Sequence, residues 1–246
     1  MEGGAYPWFV NRSDVSHVLF DLDDTLVDHR AAATAALEHA IGRWSPDCTD
    51  HDLAELLALW RRLEQEQYDA YLRGECTHAD QRVRRLDRFL PALGVGSGDD
   101  AFLAGQFQHY LDAYVAAWSY FADVPVALDE LVAVGIGVAV LTSGEPRQQR
   151  AKLERTGLVD RFDRILTPTE VGAPKPDATA FVNACTMLEI DPTRTAYVGD
   201  NLEVDAVGAS AAGLRGIWLD RSGSDATAPP GVKRITSLRL LTAALR

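Results

Sequence analysis

The chain has 246 residues, of which 47% are hydrophobic and 24% charged, and its formal net charge is −12. This is the composition of a folded soluble protein, one large domain or a domain with a smaller companion. It excludes a disordered chain, a collagen-like repeat and a small disulfide-stapled scaffold. So negative a chain repels nucleic-acid phosphates and anionic membranes, and no apolar run approaches the roughly 20 residues of a bilayer span, so neither nucleic acid nor membrane is expected as a partner.

In chain order, residues 1–14, with Gly3, Gly4 and Pro7, read as a flexible leader that lacks the basic start and long apolar stretch of a signal peptide. Residues 15–21 (VSHVLFD) form a short apolar run and predict a buried strand. From Arg30 to Tyr120 the pattern is helical. Leu53, Leu56, Trp60 and Leu63 recur at helical spacing, as do Leu103, Phe107, Tyr110, Tyr114 and Trp118, with a break at Pro91–Gly98. Four or five helices and no strand are expected there. After Pro125 strands and helices alternate. Strands are predicted at 135–142, 164–166, 195–199 and 215–220. Helices are predicted from Pro146 to Thr156, closed by Gly157, then over Asp177–Leu188 and Leu202–Ala212. A loop over Arg221–Gly231 precedes the last short elements. Such alternation implies βαβ units, a parallel sheet and an α/β domain, with the all-α stretch inserted after its first strand. Cys48, Cys76 and Cys185 are far apart and form no C-x-x-C pair, as expected of reduced thiols in a cytoplasmic protein. Only Lys152, Lys175 and Lys233 among the 24 basic residues are lysine.

Open α/β sheets bind ligands beyond the carboxyl ends of their strands. At those ends lie Asp21-Leu22-Asp23-Asp24-Thr25, Thr142-Ser143-Gly144, and Gly199-Asp200-Asn201 with Asp205 one turn on. Lys175 lies between Pro174 and Pro176, ahead of a helix. Each has an ordinary reading: a capped helix start, an N-cap, a solvated loop lysine, a turn. Each also has a chemical one. If the first strand continues, Asp21 and Asp23 point the same way, and paired carboxylates suit a hard divalent cation. T-S-G ahead of a proline-started helix is a phosphate cradle. Proline stiffens the stem that carries Lys175. Four such features at successive strand ends favour a phosphate site over four coincidences.

The segments VLFDLDDTLVDH, LTSGEPRQQRAKLERTGL, FDRILTPTEVGAPKPDATAF and YVGDNLEVDAVGASAAGLRGIWLDR, in that order, resemble the four motif regions of the haloacid dehalogenase superfamily, in the subgroup with a helical cap after the first strand. The resemblance implies a three-layer Rossmann-like parallel-sheet core over 15–29 and 121–246 and an all-α cap over 30–120. It implies that Asp21 is a nucleophile forming an aspartyl-phosphate and that Asp23 is the general acid/base. Asp24, Thr142, Ser143 and Lys175 would bind the phosphate, and Lys175 would also pair with Asp21. A Mg²⁺ ion would be held by Asp21, Asp200 and the backbone carbonyl of Asp23, with Thr25 and Asp205 orienting the site from behind.

The implied activity is Mg²⁺-dependent hydrolysis of a small phosphate monoester, with WLDR (218–221) leaning toward nucleotide or sugar phosphates. A phosphohexose mutase of the same superfamily is the alternative. A haloacid dehalogenase is a second one, disfavoured because those enzymes typically lack an acid at the position of Asp23. A Schiff-base phosphonate hydrolase is excluded, since residues 28–120 contain no lysine. Arg61, Arg62, Arg73, Arg82, Arg84, Arg85 and Arg88 read chiefly as a solvated helical face. The inserted helices, joined by two linkers, are expected to enclose a small soluble metabolite and set selectivity. A monomer or homodimer is expected.

Overall fold

The structure, a computed structural model, describes residues 14–45 and 52–246. The expected leader and Cys48 lie outside these residues. Strands buried on both faces need near-continuous apolar runs, and HVLF, GVAVL, TAYVG and RGIWL supply them. Six strands form one parallel sheet: β1 (His17–Phe20), β2 (Gly137–Leu141), β3 (Ile165–Leu166), β4 (Thr195–Gly199), β5 (Arg215–Leu219) and β6 (Lys233–Ile235). Their order is β3-β2-β1-β4-β5-β6. β1 lies centrally, with Phe20 opposite Val140 on one side and Val198 on the other. The chain direction of the strand order reverses between β1 and β4, which opens a crevice at their carboxyl ends.

The period of two in a strand sorts side chains onto two faces. Val18, Phe20, Val140, Val198 and Ile217 pack with Val124, Leu128 and Leu131 of α5 (Val124–Ala133), Leu153 of α6 (Pro146–Arg155) and Leu241 of α10 (Leu241–Ala244). Leu19, Ala139, Leu141 and Tyr197 pack on the opposite face with Ala180, Phe181 and Ala184 of α8 (Ala178–Met187) and Ala209 of α9 (Gly208–Ala211). Helices therefore cover both faces of the sheet, a three-layer α/β fold. Replacing fully buried Phe20 by Ala would cost about 3–5 kcal/mol through lost burial and a cavity.

The chain divides into two compact units, 1–28 with 120–246, and His29–Ser119. The second contains α1 (His29–Trp44), α2 (Leu53–Leu72), α3 (His78–Phe89) and α4 (Asp100–Ala116). Asp52, Thr77 and Asp99 cap the last three of these through side-chain oxygens. The break at Pro91–Gly98 is a short 3₁₀ turn, Leu90–Leu93, that ends on Gly94 with φ +68°. Trp60 centres the aromatic core, with ring centroids 4.8 Å from Tyr110 and 4.9 Å from Phe89. Two sequence expectations change here. Leu53 is exposed, because the buried stripe of α2 begins at Leu56. Arg85 is not on a solvated face: it is buried, pairs with Glu64, and lies 4.7 Å from the Trp60 ring centroid. A guanidinium can stack on aromatic faces while its fork keeps an anionic partner. The other six arginines of that group are exposed or half-buried.

The predicted helix over Leu202–Ala212 is a π-helical stretch, Leu202–Val207, that runs into α9. α5, α7 (Pro168–Val171) and β6 are elements the sequence pattern did not individually place. Glu145, rather than Thr142 or Ser143, caps α6 by accepting from the Gln148 N–H. No helix among the described residues is long and apolar enough to cross a membrane. Cys76 and Cys185 are free thiols.

A polar clasp closes the α/β unit around the return of the chain at residue 120. Arg221 donates to both oxygens of Asp123 at 3.0 Å and to the Thr25 carbonyl at 2.8 Å. Asp123 also accepts from Ser237 Oγ at 2.7 Å and the Leu238 N–H at 2.9 Å. Burial alone would raise this carboxyl, but the Arg221 pair and these donors hold it below the usual carboxylate range. A group so depressed stabilises the fold above its unfolded pKa of about 4 and loses that contribution as pH falls further. Asp123→Asn is expected to lower stability by about 2 kcal/mol at pH 7, discounted for partial exposure of the pair. In urea denaturation the gap from wild type should shrink below pH 4; a gap that stays constant with pH would contradict the assignment.

Candidate active site

β1 ends at Phe20, and Asp21 begins the loop beyond it, its N–H donating to the Val198 carbonyl at 2.9 Å. Asp21 Oδ1 accepts from Lys175 Nζ at 2.6 Å. The same ammonium donates to Asp205 Oδ1 at 2.7 Å and to Tyr197 Oη at 2.7 Å. Tyr197 passes its own proton to the Leu141 carbonyl at 2.7 Å. Lys175, Asp205 and Tyr197 are all buried, so this is a desolvated network with every lysine proton placed. The Lys175–Asp21 pairing expected from the sequence is present. Asp205 and Tyr197 take the other two lysine protons.

Ligand atoms of Asp21, Asp200 and Asp205 lie within 4.8 Å of one another. Asp205 was expected behind the site; its carboxylate is in the cluster, with Oδ2 accepting from the Asn201 N–H at 3.0 Å and Oδ1 from Lys175. Gly199 makes this approach feasible, since a Cβ there would fall inside the Asp205 carboxylate. Lys175 pairs with two of these three carboxylates, so the group as a whole carries a formal charge of −2. Burial pushes the Asp21 carboxyl well above its usual range, Lys175 opposes this, and Asp205 and Asp200 add to it. Burial would likewise lower Lys175, but the Asp205 and Asp21 carboxylates reverse that and hold it well above the usual ammonium range. The donor set is all hard oxygen and short of positive charge, and it fits a divalent cation such as Mg²⁺.

Asp23 goes elsewhere. β1 does not continue past Phe20, so the period-two argument for a shared direction of Asp21 and Asp23, which required the strand to continue, does not apply. Both Asp23 oxygens accept from Lys152 Nζ, at 2.6 and 2.8 Å, and Oδ2 also accepts from Gln149 Nε2 at 2.9 Å. The Asp23 carboxylate is therefore not a member of the acidic cluster. Lys152 and Gln149 were not picked out by the sequence reading, although the scarcity of lysine was a usable signal.

Thr142 follows β2 and is buried. Its Oγ1 accepts from Gln149 Nε2 at 2.8 Å and the Gly144 N–H at 3.4 Å, which leaves its own proton to be donated. Ser143 is half-buried beside it. Asp24 takes a left-handed backbone (φ +58°), a conformation Asp tolerates better than most residues, and its N–H donates to the Val27 carbonyl. Thr25 is fully buried and its hydroxyl has no hydrogen-bond partner, so it fills the loop's core and does not orient the carboxylates through that group.

A sheet of this order with acids beyond β1 and β4 and a hydroxyl beyond β2 defines a class. Residues 15–213 match the family model described as haloacid dehalogenase-like hydrolase. The chain belongs to this family and is a hydrolase acting on phosphate monoesters. It is 35% identical over 217 residues to the ribulose-1,5-bisphosphate 5-phosphatase of Halopiger xanaduensis, covering 85% of this chain and 87% of the relative. It is 30% identical over 207 residues to the glyceraldehyde 3-phosphate phosphatase of Methanopyrus kandleri, covering 84% of each. Among solved structures, a HAD-hydrolase from Bacillus subtilis bound to magnesium is similar in fold (TM-score 0.75, 22% identity, 94% of this chain and 99% of that one).

Gly199→Ala is expected to cost about 1–3 kcal/mol through overpacking against Asp205, read as a lowered midpoint in chemical denaturation. An unchanged midpoint would show that Asp205 can move aside freely.

Proposed function

We propose that the chain is a Mg²⁺-dependent phosphatase of small phosphorylated metabolites that works through an aspartyl-phosphate on Asp21. The observation that carries this reading is the cluster of Asp21, Asp200 and Asp205, in which Asp21 and Asp205 pair with the buried Lys175, while a further acid, Asp23, two residues from Asp21, is held by Lys152. Asp21 supplies the nucleophile: one carboxylate oxygen forms a bond to phosphorus as the ester P–O bond breaks. Asp23, entering this step protonated, gives its proton to the departing alkoxide, which leaves as the alcohol. In the second displacement water attacks phosphorus, its proton passes to Asp23, and the Asp21–phosphorus bond breaks to release inorganic phosphate. The hydroxyl of Thr142 is oriented to donate to a phosphate oxygen, beside Ser143 and the loop around Asp24. Lys175 holds Asp21 in place and offsets part of the negative charge at the nucleophile. Asp205 already accepts from Lys175 and Asn201, so the carboxylates that would hold the cation are Asp21 and Asp200, with the Asp23 carbonyl. Bound there, Mg²⁺ would offset the repulsion between an anionic nucleophile and an anionic phosphate.

The two phosphatases that match across most of this chain act, by their names, on a pentulose bisphosphate and a triose phosphate, which supports a sugar-phosphate-like substrate.

Asp21→Asn should lower turnover of p-nitrophenyl phosphate by at least about a thousandfold, as loss of a covalent nucleophile commonly does. Near-wild-type turnover by a deamidation-free variant would overturn the nucleophile. Excess EDTA should abolish turnover and Mg²⁺ restore it; undiminished activity in EDTA would overturn the metal requirement. Millimolar Mg²⁺ should raise the Tm of wild type and not of Asp200→Asn. Equal shifts in both proteins would remove Asp200 from the metal site.

A further inference from the structure

We propose that Lys152 and Gln149 are positioning residues for Asp23: together they fix the direction in which its carboxylate faces, and Gln149 ties that direction to the phosphate-binding hydroxyl of Thr142. The inference rests on the proposed role of Asp23 as the acid that protonates the leaving group.

The two residues lie three apart in α6 and so share a face of that helix. Both are about 1% exposed, whereas the Asp23 side chain is 30% exposed. Lys152 reaches up from beneath to both carboxylate oxygens, and Gln149 adds a third N–H to one of them. A carboxylate swings about two torsions. Three donors from one rigid helix, converging on both of its oxygens, fix both torsions. Toward the ionised Asp23 the NH₂ end of Gln149 is the one that can donate. That same NH₂ donates to Thr142 Oγ1 at 2.8 Å, so one amide orients the acid and the hydroxyl at once. Gly144 leaves the room this amide occupies, since a Cβ there would fall on Gln149 Cδ and Nε2.

A stability role alone does not account for this arrangement. The helix position under the sheet edge would accept a leucine or methionine without the cost of burying an ammonium, several kcal/mol before it is repaid. The partner chosen is the 30% exposed carboxylate of the loop after β1, not a core carbonyl.

The test compares kcat/KM for two aryl phosphates. Phenolate is a strong base, with a conjugate pKa of about 10, and needs a proton to leave, whereas 2,4-dinitrophenolate leaves without one. kcat/KM reports only steps through phosphoryl transfer to Asp21, so the base step does not enter. Lys152→Met is expected to lower the phenyl/2,4-dinitrophenyl ratio by more than fivefold. In an Asp23→Asn background it should change the ratio by less than twofold, because its effect runs through Asp23. A general loss of structure would lower both substrates equally. If Lys152→Met does not fold, as judged by its thermal transition, Gln149→Met reads the same ratio with the ion pair intact and the same fivefold criterion. A smaller fall than fivefold, a rise, or an equal fall in the Asp23→Asn background overturns the proposal. These results leave the phosphatase reading standing, provided that Asp23→Asn itself lowers the ratio. Should Asp23→Asn leave the ratio unchanged, the acid role fails and this inference falls with it.

Discussion

Charge crowding at the carboxyl ends of β1 and β4 is the constraint on which the rest of the α/β unit depends. Asp21, Asp23, Asp200 and Asp205 all come from the two loops there, and the described residues answer them with two buried ammoniums, Lys175 and Lys152. Two like charges at 4 Å repel by about 4 kcal/mol at an effective dielectric of 20, so four acids cannot share one volume. The fold separates them into two groups. One gathers Asp21, Asp200 and Asp205, the first and last of them paired with Lys175. The other is nearer the surface, with Asp23 on Lys152. Gly199, Tyr197 and Gly144 make sense only within this division: the first admits Asp205, the second fills the third hydrogen-bond position of Lys175, and the third admits Gln149.

The two lysines also show why this arginine-rich chain keeps any lysine at all. Twenty-one of its 24 basic residues are arginine. A guanidinium is a planar fork suited to one carboxylate or an aromatic face, as Arg221 on Asp123 and Arg85 over Trp60 illustrate. An ammonium projects three donors from a single atom in three directions. Lys175 sends them to acceptors on β1's loop, β4 and the π-helical turn, which no planar group in the same volume could do. Lys152, buried on α6, donates to both oxygens of a single carboxylate.

Much of this was legible in the sequence, because strand ends are marked by where an apolar run stops. VLF before Asp21, VAVL before Thr142 and AYV before Gly199 located three of the site's loops, and parallel order followed from the alternation with helices. What stayed hidden was long-range. Lys152 meets Asp23 across 129 positions and Lys175 meets Asp205 across 30, and no local period encodes which helix face turns toward which loop. The end of β1 at Phe20 is equally silent in the sequence: a shared direction for Asp21 and Asp23 by period two required the strand to continue. α5 was missed because VPVALDELVA is as rich in valine as a strand, and its helical form is set by packing on the sheet. The burial of Arg85 was invisible for a related reason. An arginine reads as solvent-facing until three aromatic rings from other helices surround it.

Two carboxylates two residues apart thus acquire different surroundings without any difference in residue type. Asp21 is 10% exposed, faces two further acids and shares one lysine with Asp205; Asp23 is 30% exposed and is held by a lysine and an amide from α6. Paired titratable groups given unlike environments are how one short segment can divide a nucleophile's work from a proton carrier's. The division is made by the supporting elements, α6 beneath one acid and β4 with its following turn beneath the other. It follows that the segment Asp21–Asp23 cannot be understood by itself: its chemistry is written in Gln149, Lys152, Lys175, Tyr197 and Asp205, five residues that reach it only through the order of strands in the sheet.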